Sequence, residues 1–379
     1  MRAERDAWTI WHDRDQDQAE WIRRVAGLPV SQTRLAELAR PQAAGAFARL
    51  PATLQQLLYL DKHDIILTLN RSGAERPVVA LELMTHTPQS QHTKQRFCRI
   101  VAAAEQRVPC AFVFPERKRS GNQMYTCTLD IFYALQRLTD IHHIPSFGYF
   151  WPDTDGELRF HRQHPSAPAE AGEIRELIPF LRLCTHYARQ ERPFTLLLSD
   201  PQLRPHLDRN RRHAYAEPIT VDRYHRLRVV ATQALVSELA RSHAIPSGDL
   251  PDYFLSRSQS LVQEPRFEAR LSRQSFRTDP YAGMQAFFDY CFCRIGPSTS
   301  ERQQNLVLRA RGVPYRTYAS KYALYWERRC PFRAGYEPQD IPLLNLHVKS
   351  GCRYTKSKAL RTYGYISDML IFDDFVIYG

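Results

Sequence analysis

The chain has no CxxC pair, no glycine-rich phosphate loop, no nucleophile-elbow serine and no apolar run long enough to span a membrane. Each absence removes a class of function. Without a glycine-rich loop there is no backbone cradle for nucleotide phosphates, so ATP-driven chemistry is not expected. Ser31, Ser72 and the other serines lack the pattern that presents a hydrolase nucleophile. The eight cysteines, Cys98, Cys110, Cys127, Cys184, Cys291, Cys293, Cys330 and Cys352, are scattered. Grouping the last four as a zinc site fits none of the common ligand spacings. The opening Met1-Arg2-Ala3-Glu4-Arg5-Asp6 is charged and has no apolar signal core. With no membrane-length span, a cytoplasmic protein with reduced thiols is expected.

What is present is a core-forming, basic chain. Its 379 residues are enough for two domains, and 43% of them are hydrophobic. The formal charge is +12. That sign favours a polyanionic partner, and nucleic acid is the usual one.

Patterning gives an order of elements. Residues 7–26 read as a helix carrying Trp8, Trp11, Trp21, Ile22 and Val25, and 32–60 as helix broken by Pro41 and Pro51. Residues 64–84 read as a β-hairpin turning at Asn70-Arg71-Ser72-Gly73. A helix is predicted over 93–107, with Phe97, Ile100, Val101 and Ala104 at helical spacing. A buried strand follows at 110–114, a basic loop at 116–123, a helix at 129–138 and a strand at 147–151. His142-His143 is placed as a helix C-terminal cap. Strand-helix-strand alternation after a hairpin implies an α/β layer with a mixed sheet. The domain reading is 1–151, a linker or excursion over 152–172, and a second region over 173–379. In that region helices are predicted at 174–189 and 223–242, with a basic turn region at 204–213 between them. A terminal hairpin is predicted from 367–372 and 375–378.

Two acidic residues stand out. Asp64 opens the first strand of the hairpin, and Glu82 lies near the end of the second, inside Val78-Val79-Ala80-Leu81-Glu82-Leu83-Met84. A carboxylate in a strand core is costly unless a partner or a metal neutralises it. Two brought together across a hairpin suit a hard divalent cation, with the Leu83 carbonyl as a further oxygen. Phosphodiester cleavage needs a positioned water, charge neutralisation on phosphate and help for the leaving oxygen, which Mg²⁺ held on rigid strands supplies. The structural alternative is that Asp64 faces solvent and Glu82 pairs with a buried Arg96 or Arg99.

Asp64 at the head of one strand, Glu82-Leu83-Met84 on the next, and the following helix and strand resemble the PD-(D/E)xK, restriction-endonuclease-like nuclease superfamily, over about residues 30–151. The resemblance implies a restriction-endonuclease-like mixed-sheet core flanked by helices, with a C-terminal α+β DNA-recognition region. It implies a type II restriction-like, Mg²⁺-dependent endodeoxyribonuclease in prokaryotic defence, with Mn²⁺ able to substitute. Its partners would be double-stranded DNA, a second copy of the chain and a cognate methyltransferase. Asp64 and Glu82 would be catalytic and bind the metal, with Leu83. The chain departs from the family pattern at His63, where a proline is usual, and at Met84, where a lysine is usual. Lys94 is the stand-in for that lysine, with His86 a weaker one, and Gln95, Arg96 and Arg99 would steady the site. If no residue replaces the lysine, the fold binds DNA without cutting it. A structure-specific or transposition-linked nuclease is the other enzymatic reading. RNA fits the charge but has no recognition signature.

Recognition is placed in two basic stretches. Arg209, Arg211 and Arg212 form one, and Lys349, Arg353, Lys356, Lys358 and Arg361 the other, with tyrosines around them and no acid from 349 to 366. Arg and Lys neutralise phosphates, and tyrosine hydroxyls bond to them.

Overall fold

A computed structural model of the chain describes residues 6–38, 49–58, 60–84, 90–120, 122–151, 153–154, 157–158, 176–224, 227–242, 261–267, 282–297, 301–310, 343–345, 362–363, 365–373 and 376–378. The chain divides into two units, Met1–Pro218 and Ile219–Gly379. The first unit thus runs past 151, because two later helices pack with its sheet.

The first unit opens with strand β1 (Ala7–His12), where a helix was expected. Thr9, Ile10 and Trp11 are β-branched or aromatic residues that suit a strand, and the strand pairs along its whole length with a later one. Helix α1 (Gln16–Val25) begins only after Asp15, whose side chain caps it by accepting the Gln18 N–H at 3.0 Å. Strand β2 (Thr33–Glu37) pairs parallel to β1, so the helical reading of 32–60 also fails at its start. Helix α2 (Ala52–Leu57) follows Pro51.

The hairpin forms as predicted, from β3 (Ile65–Arg71) and β4 (Ala74–Leu83). Its two-residue loop has Ser72 at φ 54° and Gly73 at φ 79°, the left-handed pair that matches strand twist in a tight hairpin. The register shifts between Leu67 and Thr68, opposite Pro77 and Val79. A proline has no N–H for the ladder, so it fits such an irregularity.

Helix α3 (Ser90–Gln95) and helix α4 (Phe97–Glu105) replace the single predicted helix and are parted at Arg96. Strand β5 (Cys110–Pro115) lies parallel to β4. The predicted basic loop is an antiparallel ribbon, β6 (Arg117–Ser120) and β7 (Gln123–Thr126). Helix α5 (Asp130–His142) ends on His143, which is left-handed at φ 54° and fills the cap position. Strand β8 (Ser146–Trp151) lies parallel to β5. A short hairpin follows, β9 (Asp153–Thr154) with β10 (Glu157–Leu158). Helices α6 (Leu177–Arg189) and α7 (Arg204–Ala214) complete the unit. The predicted turn region 204–213 is therefore helical.

The sheet order is β2-β1-β3-β4-β5-β8, with parallel and antiparallel pairs. One face carries Ile10, Leu67, Leu81, Val113 and Tyr149, packed with Trp21 and Ile22 of α1 and Phe180 and Tyr187 of α6. On the other side, α4 and α5 bring Phe97, Ile100 and Phe132 against β5 and β8. Burying each such aromatic stabilises the fold by about 1.5–3 kcal/mol. Gly148 makes this packing fit, since a Cβ there would lie 2.6 Å from Phe132 Cε1.

The second unit is also mixed. It contains β11 (Leu227–Ala231), α8 (Thr232–Ser242), β12 (Leu261–Phe267), α9 (Ala282–Phe288), β13 (Asn305–Ala310), β14 (Leu343–Asn345), β15 (Met369–Phe372) and β16 (Val376–Tyr378). The predicted helix 223–242 is thus a strand followed by a helix. The order is β11-β12-β13-β15-β16-β14, and β15 and β16 form the predicted terminal hairpin. A buried ion network ties it together. Arg302 meets Asp289 at 3.1 Å and Asp368 at 2.7 Å, and the Leu306 N–H donates to Asp368 at 2.8 Å. Among the described residues no helix is long and apolar enough to cross a membrane.

Candidate functional site

Strand alternation places the two carboxylates. Leu81 and Leu83 belong to the core shared with α1 and α6, so Glu82 between them points to the α4 side. Asp64, one residue ahead of β3, sits level with it, because Ile65 pairs with Leu81. The two expected residues therefore converge. Asp64 Oδ2 accepts the Leu83 N–H at 2.8 Å, so Leu83 enters the site through its amide.

The break between α3 and α4 brings two arginines onto these carboxylates. Arg99 Nη1 lies 3.0 Å from Asp64 Oδ1 and 2.7 Å from Glu82 Oε2, and its Nε lies 2.5 Å from Asp61 Oδ2. Arg96 Nη1 pairs with Asp64 and lies 3.5 Å from Glu82 Oε2. Glu82 is 1% exposed, a burial that an ionised carboxylate sustains only with such partners. Burial would raise the Asp64 pKa, but Arg96, Arg99 and the Leu83 N–H outweigh it and hold the carboxyl below its ordinary value. Burial would likewise lower Arg99, yet Asp61, Glu82 and Asp64 keep it charged, well above its ordinary value.

His63 is the other buried neighbour. Its Nδ1 is 3.2 Å from Glu82 Oε1, but the alignment is not that of a hydrogen bond. Among the described residues, neither His63 nitrogen nor Glu82 Oε1 has a hydrogen-bond partner.

Lys94 is 3% exposed and ion-pairs with Asp130 of α5 at 2.5 Å, and the Thr128 hydroxyl donates to the same carboxylate at 2.8 Å. Gln95 is half-buried, and its carbonyl accepts from the Cys98 thiol at 3.9 Å. Met84 is buried, with its N–H on Val113 and its carbonyl accepting the Trp151 indole N–H at 2.7 Å. His86 lies outside the described residues. Asp61, Asp130 and the contact of His63 with Glu82 were missed in the sequence. Nothing in spacing marks Asp61 or Asp130, because their partners come from helices whose docking is set elsewhere.

Among the described residues no group of three His, Cys, Asp or Glu side chains is arranged to hold a metal ion. Mg²⁺ commonly takes only one or two protein carboxylates and keeps waters. Asp64 and Glu82 fit that donor set, since one guanidinium nitrogen reaches both and, among the described residues, Glu82 Oε1 accepts no hydrogen bond. A cation bound there would take over part of the neutralisation that Arg96 and Arg99 now supply.

The basic stretches are placed unevenly. Arg211 and Arg212 are exposed on α7. Arg209 turns inward, donating to the Gly148 carbonyl at 2.8 Å, stacking over Tyr149 at 4.3 Å and pairing with Glu176. Lys349, Arg353, Lys356, Lys358 and Arg361 lie outside the described residues. No family model matches the chain, and no curated protein or solved structure gives a match.

Proposed function

We propose that this chain is a metal-dependent endodeoxyribonuclease that hydrolyses phosphodiester bonds in double-stranded DNA, as a site-specific restriction enzyme in prokaryotic defence. The observation that carries this reading is the convergence of Asp64 and Glu82 on the α4 side of the hairpin, with Glu82 buried and its Oε1 accepting no hydrogen bond among the described residues. Asp64 and Glu82 would hold Mg²⁺ or Mn²⁺, which when bound neutralises phosphate charge and lowers the pKa of a water. Asp64 keeps its acceptor oxygens ionised because its pKa is depressed. Arg96 and Arg99 steady both carboxylates and supply positive charge beside the scissile phosphate. Arg211, Arg212 and the basic tail would contribute phosphate contacts. A homodimer would match the two-fold symmetry of a restriction site, and a methyltransferase of matching specificity would protect host DNA.

The test is cleavage of plasmid and phage DNA in Mg²⁺ or Mn²⁺ by the wild type, Asp64→Ala and Glu82→Ala. Discrete fragments are expected from the wild type. Each substitution should cut activity by more than about a hundredfold, since even residues behind the ligands commonly cost ten- to a hundredfold.

The second reading, a nuclease fold that binds DNA without cutting, has its own observation. Arg96 and Arg99 already neutralise the carboxylates, Met84 stands in the lysine position, and Lys94 is paired with Asp130. Intact DNA in every lane, with duplex binding retained by all three proteins, would select it.

A further inference from the structure

The ribbon β6–β7 has no role in the site just described, yet it grows from the same end of the sheet. Leu83 pairs with Val113 across β4 and β5. Arg117 begins the ribbon four residues further on, roughly 13 Å of extended chain. Its base is fastened beside the site. The Cys127 N–H donates to the Glu116 carbonyl at 2.8 Å, and the Cys127 thiol donates to the Thr128 carbonyl at 3.4 Å. The Lys94–Asp130 ion pair holds α3 against the start of α5 next to this base.

The ribbon's composition is one-sided. Arg117-Lys118-Arg119 form one strand, and no acid occurs from Arg117 to Leu129. Asn122, Gln123, Met124 and Thr126 on the turn and return strand are exposed. The ribbon is a two-stranded sheet of its own, with β10 packed beside β6. A two-stranded ribbon fits the major groove of B-form DNA, and its Arg and Lys residues neutralise phosphates.

We infer that the β6–β7 ribbon is a duplex-DNA contact, whose basic strand Arg117–Ser120 meets the phosphates flanking the bond presented to Asp64 and Glu82. This rests on the nuclease reading, but it concerns binding and can fail separately.

The experiment is fluorescence anisotropy of a labelled DNA duplex in EDTA, titrated with full-length protein from 50 to 300 mM KCl. Three proteins are compared with the wild type. They are Arg117→Gln/Lys118→Gln/Arg119→Gln, the charge-retaining Arg117→Lys/Arg119→Lys, and Arg24→Gln/Arg34→Gln/Arg182→Gln, which removes equal charge elsewhere. Each lost phosphate contact lowers the slope of log affinity against log salt by about 0.9. The ribbon triple variant should lose about 2 to 3 from that slope and bind at least about tenfold more weakly at 150 mM. The charge-retaining variant and the remote triple variant should keep the wild-type slope to within about one. Equal slopes for both triple variants overturn the inference, as does a wild type that binds duplex RNA in preference to DNA. If the wild type cuts DNA while the ribbon variant keeps its slope, only the ribbon contact is lost. If the wild type neither binds nor cuts, the nuclease reading falls with it.

Discussion

Arg99 reaches three carboxylates through one guanidinium, Asp61 at 2.5 Å, Asp64 at 3.0 Å and Glu82 at 2.7 Å. Removing one partner from a buried ion network leaves charges uncompensated, which costs about 3–5 kcal/mol. Arg99→Ala should therefore be destabilised by that order at pH 7 in urea unfolding. The deficit should depend on pH. Asp64 has a folded pKa below its ordinary value, so the stability it contributes is complete above its unfolded pKa of about 3.9 and is lost as pH falls through the lower folded value. Without Arg99 that depression is smaller, so the gap between variant and wild type should narrow below about pH 4. A gap that stays constant from pH 7 to pH 3 would show that Arg99 acts through packing. At this scale the sequence was informative for Asp64, Glu82, Arg96 and Arg99, because a carboxylate in an apolar strand demands a cation nearby. It was silent on Asp61 and Asp130, whose partners depend on how helices dock.

Elements were legible where local pattern and tertiary pairing agree. The β3–β4 hairpin, β5, α5 and β8 fall where alternation, turn residues and apolar spacing place them. The reading fails where they part. Trp8, Trp11, Trp21, Ile22 and Val25 mimic a helical face, but Ala7–His12 finds β3 as a partner and becomes strand. The ribbon was read as loop because its first strand carries charges in place of an apolar pattern. Close packing between elements gives a further test. Gly148 on β8 lets Phe132 of α5 approach, and a methyl group there would meet the ring at 2.6 Å. Gly148→Ala should cost about 1–3 kcal/mol by overpacking, measured by denaturant unfolding. Gly148→Ala with Phe132→Leu should recover part of that loss, and no recovery would place the strain elsewhere.

At the scale of the molecule, the basic balance and the two-part length were readable from composition alone, while the boundary was not. The first unit runs to Pro218 because α6 and α7 pack with the first sheet, a contact that a polar stretch after residue 151 conceals. The left-handed turn at Ser72 and Gly73 has a consequence in time. It closes the pair with the least sequence separation in the first sheet, whereas β1 must wait for β3 across more than fifty residues. Local pairings cost the least loop-closure entropy and tend to form early. The strand pair that carries Glu82 and leads from Asp64 should then assemble before Arg96 and Arg99 arrive, leaving two like charges facing each other on the way to the native state. Gly73→Val should accordingly slow folding more than it speeds unfolding in stopped-flow chevrons; an effect confined to the unfolding limb would mean that the helices dock first and the carboxylates are never without their arginines.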